Sequence, residues 1–331
     1  MQIVGVFCIR IIMKKFKLLL PIIFTIFTVA LFSLNTDVVG SSVKESMKLC
    51  YNSVIPSLLP FFILCDFLLK LIPCFNFNSS IVAFTVGLIS GFPTGTKNVC
   101  SLYQSGNLDR KSATSLLYCT ANASPAYVIT FIGSCIIKSK QAGIILLISQ
   151  YISAIICFII LGKRKKTNIN RCANICLTES VCLAITQAVK SCIYICGYII
   201  FFRIFADIIL SYNILTDKSK PIVIGFIEIS KGLSLIDYSD KNSLIAASFI
   251  LAFSGISVIM QCINETVRCG LSYKPIIIGK IIYMAIMPVT VLILQKIWHS
   301  INLLLFIVFI ITSFIIINNI FDKSKSRLYN K

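Results

Sequence analysis

Long apolar runs alternate along the chain with short polar and basic connectors. Several runs approach or exceed the roughly 18 nearly uncharged residues that a membrane-spanning helix requires. A mean hydropathy of +0.91 and a hydrophobic fraction of 57% point the same way, since soluble domains are about 45–50% apolar. The pattern therefore predicts an all-α polytopic membrane protein.

The connectors divide the chain into five predicted segments. These are a cytoplasmic N-terminus (1–17), a first transmembrane repeat (18–162), a basic cytoplasmic linker (163–178), a second transmembrane repeat (179–321) and a basic tail (322–331). The linker begins with the cluster Lys163, Arg164, Lys165 and Lys166. This cluster is the strongest orientation signal, because basic loops beside membrane helices remain in the cytoplasm.

Three apolar runs are interrupted by glycine, proline or small polar residues. The first is too short to span a bilayer and turns at Ser90-Gly91-Phe92-Pro93, which predicts a re-entrant hairpin at 81–105. A second interrupted segment, 244–265, breaks at Ser254-Gly255, and a third run breaks at 120–125. Backbone groups freed within a membrane must face protein or a wet cavity, and broken helices mark the binding site in many transporters. We therefore expect a substrate to bind at the interruptions.

Two of the interruptions resemble each other. Ser90-Gly91 matches Ser254-Gly255, and Gly106 matches Gly270 at the same offset. We interpret this as an internal repeat with 244–265 as the second hairpin, and we favour an inverted arrangement. Inversion would place the basic tail outside, against the charge rule, whereas a spanning segment at 221–236 would remove that conflict but spoil the inversion.

Each interruption is followed by a helix whose N-terminus faces the break. The predicted capping residues are Thr94 or Thr96, Gly255 or Ser257, and Ser124 followed by Pro125 as the first helical residue. Helix N-termini carry free N–H groups and partial positive charge. Three of them converging near mid-membrane would form an anion site.

Charged residues inside the apolar segments are further candidates. A lysine in hydrocarbon is costly, so Lys97 is expected to face a cavity beside the first turn, or else to be a buried structural partner of Asp66 or Glu228. Glu228 and Lys231 are three residues apart on one helix face and could pair. Otherwise Glu228, like Asp66, is a candidate for binding a coupling ion or proton.

Composition excludes several other classes of protein. The net charge of +19 is carried mostly by short loops and chain ends, which indicates contact with membrane lipid and not with nucleic acid. The 15 cysteines form no Cys-x-x-Cys pair, and the single histidine, His299, lies beside Trp298 as an expected interfacial anchor. We expect no metal, no cofactor and no catalytic constellation, so an enzyme is not predicted.

Four motifs, taken in order, resemble those of the YlbJ family of sporulation integral membrane proteins, a group with a nucleoside-recognition (Gate) domain. The stretch 90–97 looks like the family's SGYPxGAK turn, with Phe92 in place of Tyr and Thr96 in place of Ala. The others are 120–125, similar to TNxSxP with Ala121 in place of Asn, 225–232, similar to GLLEITxG, and 253–261, similar to xxGLSVxxQ. The resemblance covers roughly residues 20–320.

The resemblance implies a protein of endospore formers that acts at the outer forespore membrane. It implies a relation to concentrative nucleoside transporters, with two re-entrant hairpins, and transport of dipicolinic acid, a small anionic heteroaromatic compound. Lys97 and the hairpin tips would bind carboxylates, while Asn122 and Gln261 would orient the ring. The expected substrate-binding set is Ser90, Gly91, Pro93, Thr94, Gly95, Lys97, Asn122, Ser124, Ser254, Gly255, Ser257 and Gln261.

Two other functions stay open at this point. A nucleoside or nucleobase carrier would use Glu228, Asn122 and Gln261 to bind ribose or base. A non-transporting scaffold for assembly of the spore envelope would need none of these groups. The expected partners are a small anionic substrate and membrane lipid, with a homo-oligomer as a further option.

Overall fold

A computed structural model of the chain describes residues 19–71, 79–162 and 177–298. Its helices are α1 (Leu19–Leu34), α2 (Thr36–Leu49), a π-helix π1 (Cys50–Val54), α3 (Ile55–Leu71), α4 (Ser79–Ser90), α5 (Thr94–Gln104), α6 (Arg110–Leu116), a second π-helix π2 (Tyr127–Ile136), α7 (Lys140–Leu161), α8 (Leu177–Ser211), α9 (Lys220–Ile227), α10 (Ile229–Ser234), α11 (Ser243–Phe253), α12 (Gly255–Arg268) and α13 (Lys274–Ile297). The predicted N-terminus, the cluster 163–166, His299, the run 301–321 and the basic tail lie outside the described residues.

Within the residues that the structure describes, five helices are long and apolar enough to cross a membrane: Thr36–Leu68, Lys140–Leu161, Thr178–Ser211, Ser243–Arg268 and Lys274–Ile297. Their exposed faces carry large hydrophobic side chains such as Ile159, Ile193 and Ile281. An apolar exterior of this kind suits contact with lipid tails. The prediction of an all-α fold with several apolar, membrane-length helices is confirmed.

The first predicted hairpin is present as a pair of packed helices. α4 and α5 pack on each other and are joined by the turn Gly91-Phe92-Pro93. Gly91 has a φ of +76°, a conformation that glycine adopts at little cost because it lacks Cβ. The helix pair spans 79–104 where the sequence predicts 81–105, and its re-entry into the membrane stays a prediction.

The second hairpin differs from the prediction. α11 and α12 meet at Ser254-Gly255, where both residues have positive φ, but they continue as one broken 26-residue span and do not pack along each other. Instead α9 and α10 pack together and turn at Glu228. The segment 244–265 therefore lies in a broken helix of membrane length, and the packed helical hairpin of the second half is 220–234. The apolar run 221–236 was too short and too polar at its centre to reveal this.

The same packing scheme occurs twice along the chain. In the first half α3 leads to the hairpin α4–α5, the interrupted pair α6–π2 and the long helix α7. In the second half α8, α9–α10, α11–α12 and α13 follow in the same order and make similar contacts, except that α13 packs mainly on α11 whereas α7 packs mainly on π2. Ser254-Gly255 thus corresponds in position to the break at 120–124, and the turn at Glu228 corresponds to Gly91. The sequence offset that paired Ser90-Gly91 with Ser254-Gly255 matched different parts of the two halves.

Close backbone approach fixes each hairpin against a break. A Cβ added to Gly95 would lie 2.2 Å from the carbonyl oxygen of Thr120, and one added to Gly91 would lie 2.7 Å from Ser124. In the second half, a Cβ on Gly255 would lie 3.1 Å from the carbonyl oxygen of Gly225. Small residues at these positions let the helices approach more closely than larger side chains would allow.

Candidate functional site

The helix interruptions come together at one place in the fold. The turn of the first hairpin contacts the break at 120–124, and the turn of the second hairpin contacts the break at 254–255. The two breaks are joined by Lys280 of α13, whose Nζ lies 2.5 Å from the Ala121 oxygen and 2.7 Å from Ser254 Oγ. Four irregular stretches that are far apart in sequence therefore surround one region.

A narrow pocket lies in this region, and the empty space inside it and at its solvent-open mouth is about 390 Å³. Polar groups from three of the interruptions face it: Ser124, Glu228 and Ser257, joined by Gln261 one turn further along α12. The remaining lining is apolar or aromatic: Val54, Leu58, Phe92, Tyr127, Ile195, Ile199, Ile229 and Val258. A mostly apolar cavity with a few converging polar groups is the usual form of a small-molecule site.

A second pocket adjoins the first, since both are lined by Ile195 and Gln261, and its empty space together with the solvent at its mouth is about 330 Å³. It contains Pro93 and Lys97 of the first hairpin, together with Ser191, Tyr194, Tyr198, Asn264 and Glu265. Among the residues predicted to bind substrate, Pro93, Lys97, Ser124, Ser257 and Gln261 line one cavity or the other. Ser90, Gly91, Thr94, Gly95, Asn122, Ser254 and Gly255 lie in the surrounding structure.

Several buried polar atoms near the interruptions have no hydrogen-bond partner among the described protein groups. They include Ser90 Oγ, Thr94 Oγ1, Ser257 Oγ and Gln261 Oε1. Leaving a buried polar group unpaired costs about 1–3 kcal/mol. Since Ser257 and Gln261 line the cavity, a polar ligand bound there could satisfy both.

The helix starts explain why these hydroxyl groups are free. Ser124 accepts from the backbone N–H of Tyr127 at 3.2 Å, and Pro125 is the first helical residue, which confirms the predicted cap. α5, however, begins at Thr94 after Pro93, and α12 begins at Gly255 after Ser254. The predicted caps at Thr94, Thr96, Gly255 and Ser257 are therefore wrong. Because Thr94 and Ser257 lie inside the first turn, their hydroxyls are not used for capping.

Lys97 is three-quarters buried and has partners on two other helices. Its Nζ donates to Gln187 Oε1 at 3.2 Å and lies 3.9 Å from Asp66 Oδ2. The alternative that paired Lys97 with Asp66 is thus seen in the structure, whereas Glu228 is held elsewhere. Lys97 still faces the second cavity, so both expectations for its position are met.

Glu228 is fully buried at the tip of the second hairpin. Its carboxylate accepts from the backbone N–H groups of Ser230 and Lys231 at 3.2 and 2.8 Å and from Ser230 Oγ at 2.5 Å. It therefore caps α10. The side chain of Lys231 points to Asp207 at 2.9 Å, so the predicted pairing of Glu228 with Lys231 does not form.

The two hairpins carry equivalent ion pairs. Lys97 in α5 faces Asp66 in α3, and Lys231 in α10 faces Asp207 in α8. In each half, a lysine near the start of the second hairpin helix meets an aspartate on the preceding long helix. The two pairs differ in length, 3.9 Å in the first half and 2.9 Å in the second. Asp207 is further bound by Arg203, which also pairs with Glu45 at 2.6 Å.

Sequence reasoning missed Lys280. It is 4% exposed and its Nζ lies 5.8 Å from the ring centre of Phe92 and 5.6 Å from that of Tyr283. A signal was present, because a lysine within the apolar run 275–297 costs about 2.5–3.5 kcal/mol at a membrane centre and so implies a function. Asn122 has a structural role here, as its Nδ2 donates to the Cys119 oxygen at 2.7 Å.

Comparison with known proteins supports the motif assignment. The chain is similar to the sporulation integral membrane protein YlbJ of Bacillus subtilis, with 24% identity over 320 residues and 78% of each chain covered. No family model matches the sequence. No solved structure matches either.

Proposed function

Starting from the assignment of the chain to the YlbJ family of sporulation integral membrane proteins, we propose that it is a secondary transporter of a small anionic heteroaromatic compound. Dipicolinic acid, at the outer forespore membrane, is the first candidate. The observation that carries the proposal is the meeting of four chain interruptions around a cavity that contains unpartnered polar atoms. Such an arrangement costs stability and is retained where it binds something.

Helix polarity favours an anion. Ser124 and Ser257 lie at the starts of the helices that follow the two breaks, and Phe92 lies just before α5. Each start contributes N–H groups and about half a positive charge. Lys97 supplies a full charge in the adjoining cavity. A flat dicarboxylate could contact the helix starts at one end and Lys97 at the other, with Phe92 and Tyr127 against its ring.

The repeated packing scheme suits alternating access. If the hairpins enter the membrane without crossing it, each repeat contains three crossings, for example α3, the interrupted α6–π2 and α7. An odd number of crossings turns the second repeat upside down, which is the inverted arrangement of many carriers. The hairpins then approach the cavity from opposite sides. The Lys97–Asp66 and Lys231–Asp207 pairs are positioned to hold one hairpin each and to open in turn.

This arrangement also resolves the charge conflict in the sequence. With 220–234 as the non-crossing hairpin and 243–268 as a span, and if the apolar run 301–321 also crosses, the sequence would place the cluster 163–166 and the predicted basic tail on the same side of the membrane. The connectors that contain Arg110, Lys111, Arg268 and Lys274 fall there too. Lys138, Lys140, Lys218, Lys220 and Lys241 fall on the opposite side in this arrangement, so its agreement with the charge rule depends on the cluster 163–166 and the tail.

Glu228 favours a second candidate function. Its carboxylate faces the cavity next to Ser124, Ser257 and Gln261, and a negative group of this kind suits the hydroxyls of a ribose better than a second carboxylate. A neutral nucleoside or nucleobase is therefore the alternative substrate. A scaffold without transport activity is the third possibility, and it predicts that cavity substitutions have no effect on function.

Uptake of labelled dipicolinate into proteoliposomes that contain the purified chain tests these candidates. We expect uptake that excess uridine does not reduce, and we expect Lys97→Gln to abolish it without changing protein level or membrane insertion. Lys241→Gln, at an exposed loop position, is the matched control. Inhibition by uridine would favour the nucleoside carrier. Absence of uptake of both compounds would contradict a transporter and favour the scaffold.

A further inference from the structure

Lys280 occupies a position in the fold that a dissolved cation could fill. Its ammonium group donates to the Ala121 carbonyl at 2.5 Å and to Ser254 Oγ at 2.7 Å, and it lies near the rings of Phe92 and Tyr283. These are oxygen ligands and aromatic faces, the groups that stabilise a desolvated cation. The ammonium thus has partners on both breaks.

The two oxygen ligands lie at the C-terminal ends of broken helices. Ser254 is the residue that ends α11. Ala121 follows the last turn after α6, in which the Thr120 N–H still bonds to the Leu116 oxygen. Helix C-termini carry a partial negative charge, so a cation placed between two of them is favourable. In cation-coupled carriers, ends of this kind are where the dissolved coupling ion binds.

Other side chains bond to two further carbonyls at the first break. Tyr283 and Asn122 donate to the Cys119 oxygen at 3.3 and 2.7 Å, and Gln150 donates to the Ala123 oxygen at 2.9 Å. The negative end of this break is thus occupied by protein groups from α7 and α13. The helix that starts at Pro125 leaves its positive end on the cavity side, where Ser124 lies.

From this geometry we propose that Lys280 is a built-in cation for the two breaks, so that the carrier holds no Na⁺ between them. The ammonium neutralises the negative helix ends. The positive helix ends then determine the charge at the cavity, and this favours an anionic substrate. Lys280 lies outside the cavity lining and acts on substrate only through the breaks, so it is a positioning residue. The selectivity part of this inference rests on the proposed transport function, whereas the cation site itself does not.

Chemical rescue tests the cation site without a transport assay. Lys280→Ala removes the atoms of n-propylammonium. We expect this variant to lower the thermal unfolding midpoint of the detergent-solubilised full chain, and we expect n-propylammonium chloride to recover most of that loss because it can fill the vacated site. n-Propanol, which has the same shape without charge, should recover little. Lys280→Met, which fills the space with an uncharged chain, should not respond to the amine. Lys241→Ala is the control for general effects of the salt.

Equal recovery by n-propanol would show that only volume matters and would overturn the proposal. Absence of rescue would overturn it as well, including a Lys280→Ala chain that does not fold in the presence of the amine. In the unmodified protein, we expect the unfolding midpoint to be unchanged when N-methylglucamine replaces Na⁺ at constant ionic strength. A specific rise with Na⁺ would contradict a site already filled by lysine. If the rescue succeeds but dipicolinate uptake is absent, the proposed substrate fails and the built-in cation stands.

Discussion

Replacing Gly95 by alanine is a direct test of how the first hairpin is seated. The added Cβ would lie 2.2 Å from the Thr120 carbonyl oxygen and 3.1 Å from the Cα of Gly87. Ordinary contacts between such heavy atoms are about 3.5–4.0 Å, so the hairpin must move away from the break by more than 1 Å. Both neighbouring atoms belong to backbone, and no side-chain rotation can relieve the contact.

We expect Gly95→Ala to lower the free energy of unfolding by about 1–3 kcal/mol, the usual cost of inserting a methyl group into a packed site. The displacement should also separate Gly91 from Ser124 and reduce substrate uptake, because the cavity is built from both segments. Gly197→Ala is the matched control. Its Cβ would meet nothing within 4 Å, so this substitution should be neutral or stabilise helix α8 by about 0.5–1 kcal/mol.

The measurement is thermal unfolding in detergent together with proteoliposome uptake for the two variants. A Gly95→Ala protein as stable and active as the unmodified chain would refute the close approach of the hairpin to the break. A Gly197→Ala protein that loses as much as Gly95→Ala would show a general cost of alanine in these helices and would refute the assignment of the effect to packing.

Three further predictions follow from the site. Ser257→Ala removes a fully buried hydroxyl without a partner, so it should raise the free energy of unfolding by about 1 kcal/mol and reduce uptake. Ser46→Ala removes a hydroxyl that is equally buried but away from the cavity, so it should change stability alone, and loss of uptake in both variants would contradict a role of Ser257 in the cavity. A double-mutant cycle of Asp207→Asn and Lys231→Met should give a coupling energy of about 0.5–3 kcal/mol, and a value near zero would mean that the pair does not hold the hairpin. If the Glu228 carboxyl carries a coupling proton, Glu228→Gln should abolish uptake driven by a pH gradient but leave substrate exchange. Unchanged uptake under a pH gradient would exclude Glu228 as the coupling site.

Local pattern identified the irregular segments but not how they associate. The turn at 90–97, the break at 120–125 and the break at 254–255 were all found from glycine, proline and small polar residues in apolar runs. The cap at Ser124 was predicted correctly because proline at the first helical position leaves few alternatives. At Thr94 and Ser257 the cap was assigned to the wrong residue, since Pro93 and Ser254 are the N-cap residues of these helices.

Charge partners needed the tertiary structure. Glu228 and Lys231 share a helix face in sequence, yet their side chains do not pair, because Glu228 caps α10 and the Lys231 side chain reaches Asp207. The Lys97–Asp66 pair was one of two options in sequence, and only packing of α5 near α3 selects it. Nothing local connects Lys280 to a break that is 159 residues away.

The sequence by itself determined that the chain is a helical membrane protein with interrupted helices, because hydrophobicity and helix interruption are properties of neighbouring residues. The order of its motifs was likewise enough to place it beside YlbJ. Only the tertiary structure decided which segment is the second hairpin, which halves correspond and which charges meet. Those features depend on contacts between residues far apart in the chain. The residues next to Gly95 do not show that it lies against the Thr120 carbonyl, and the residues next to Lys280 do not show that it bonds to both breaks.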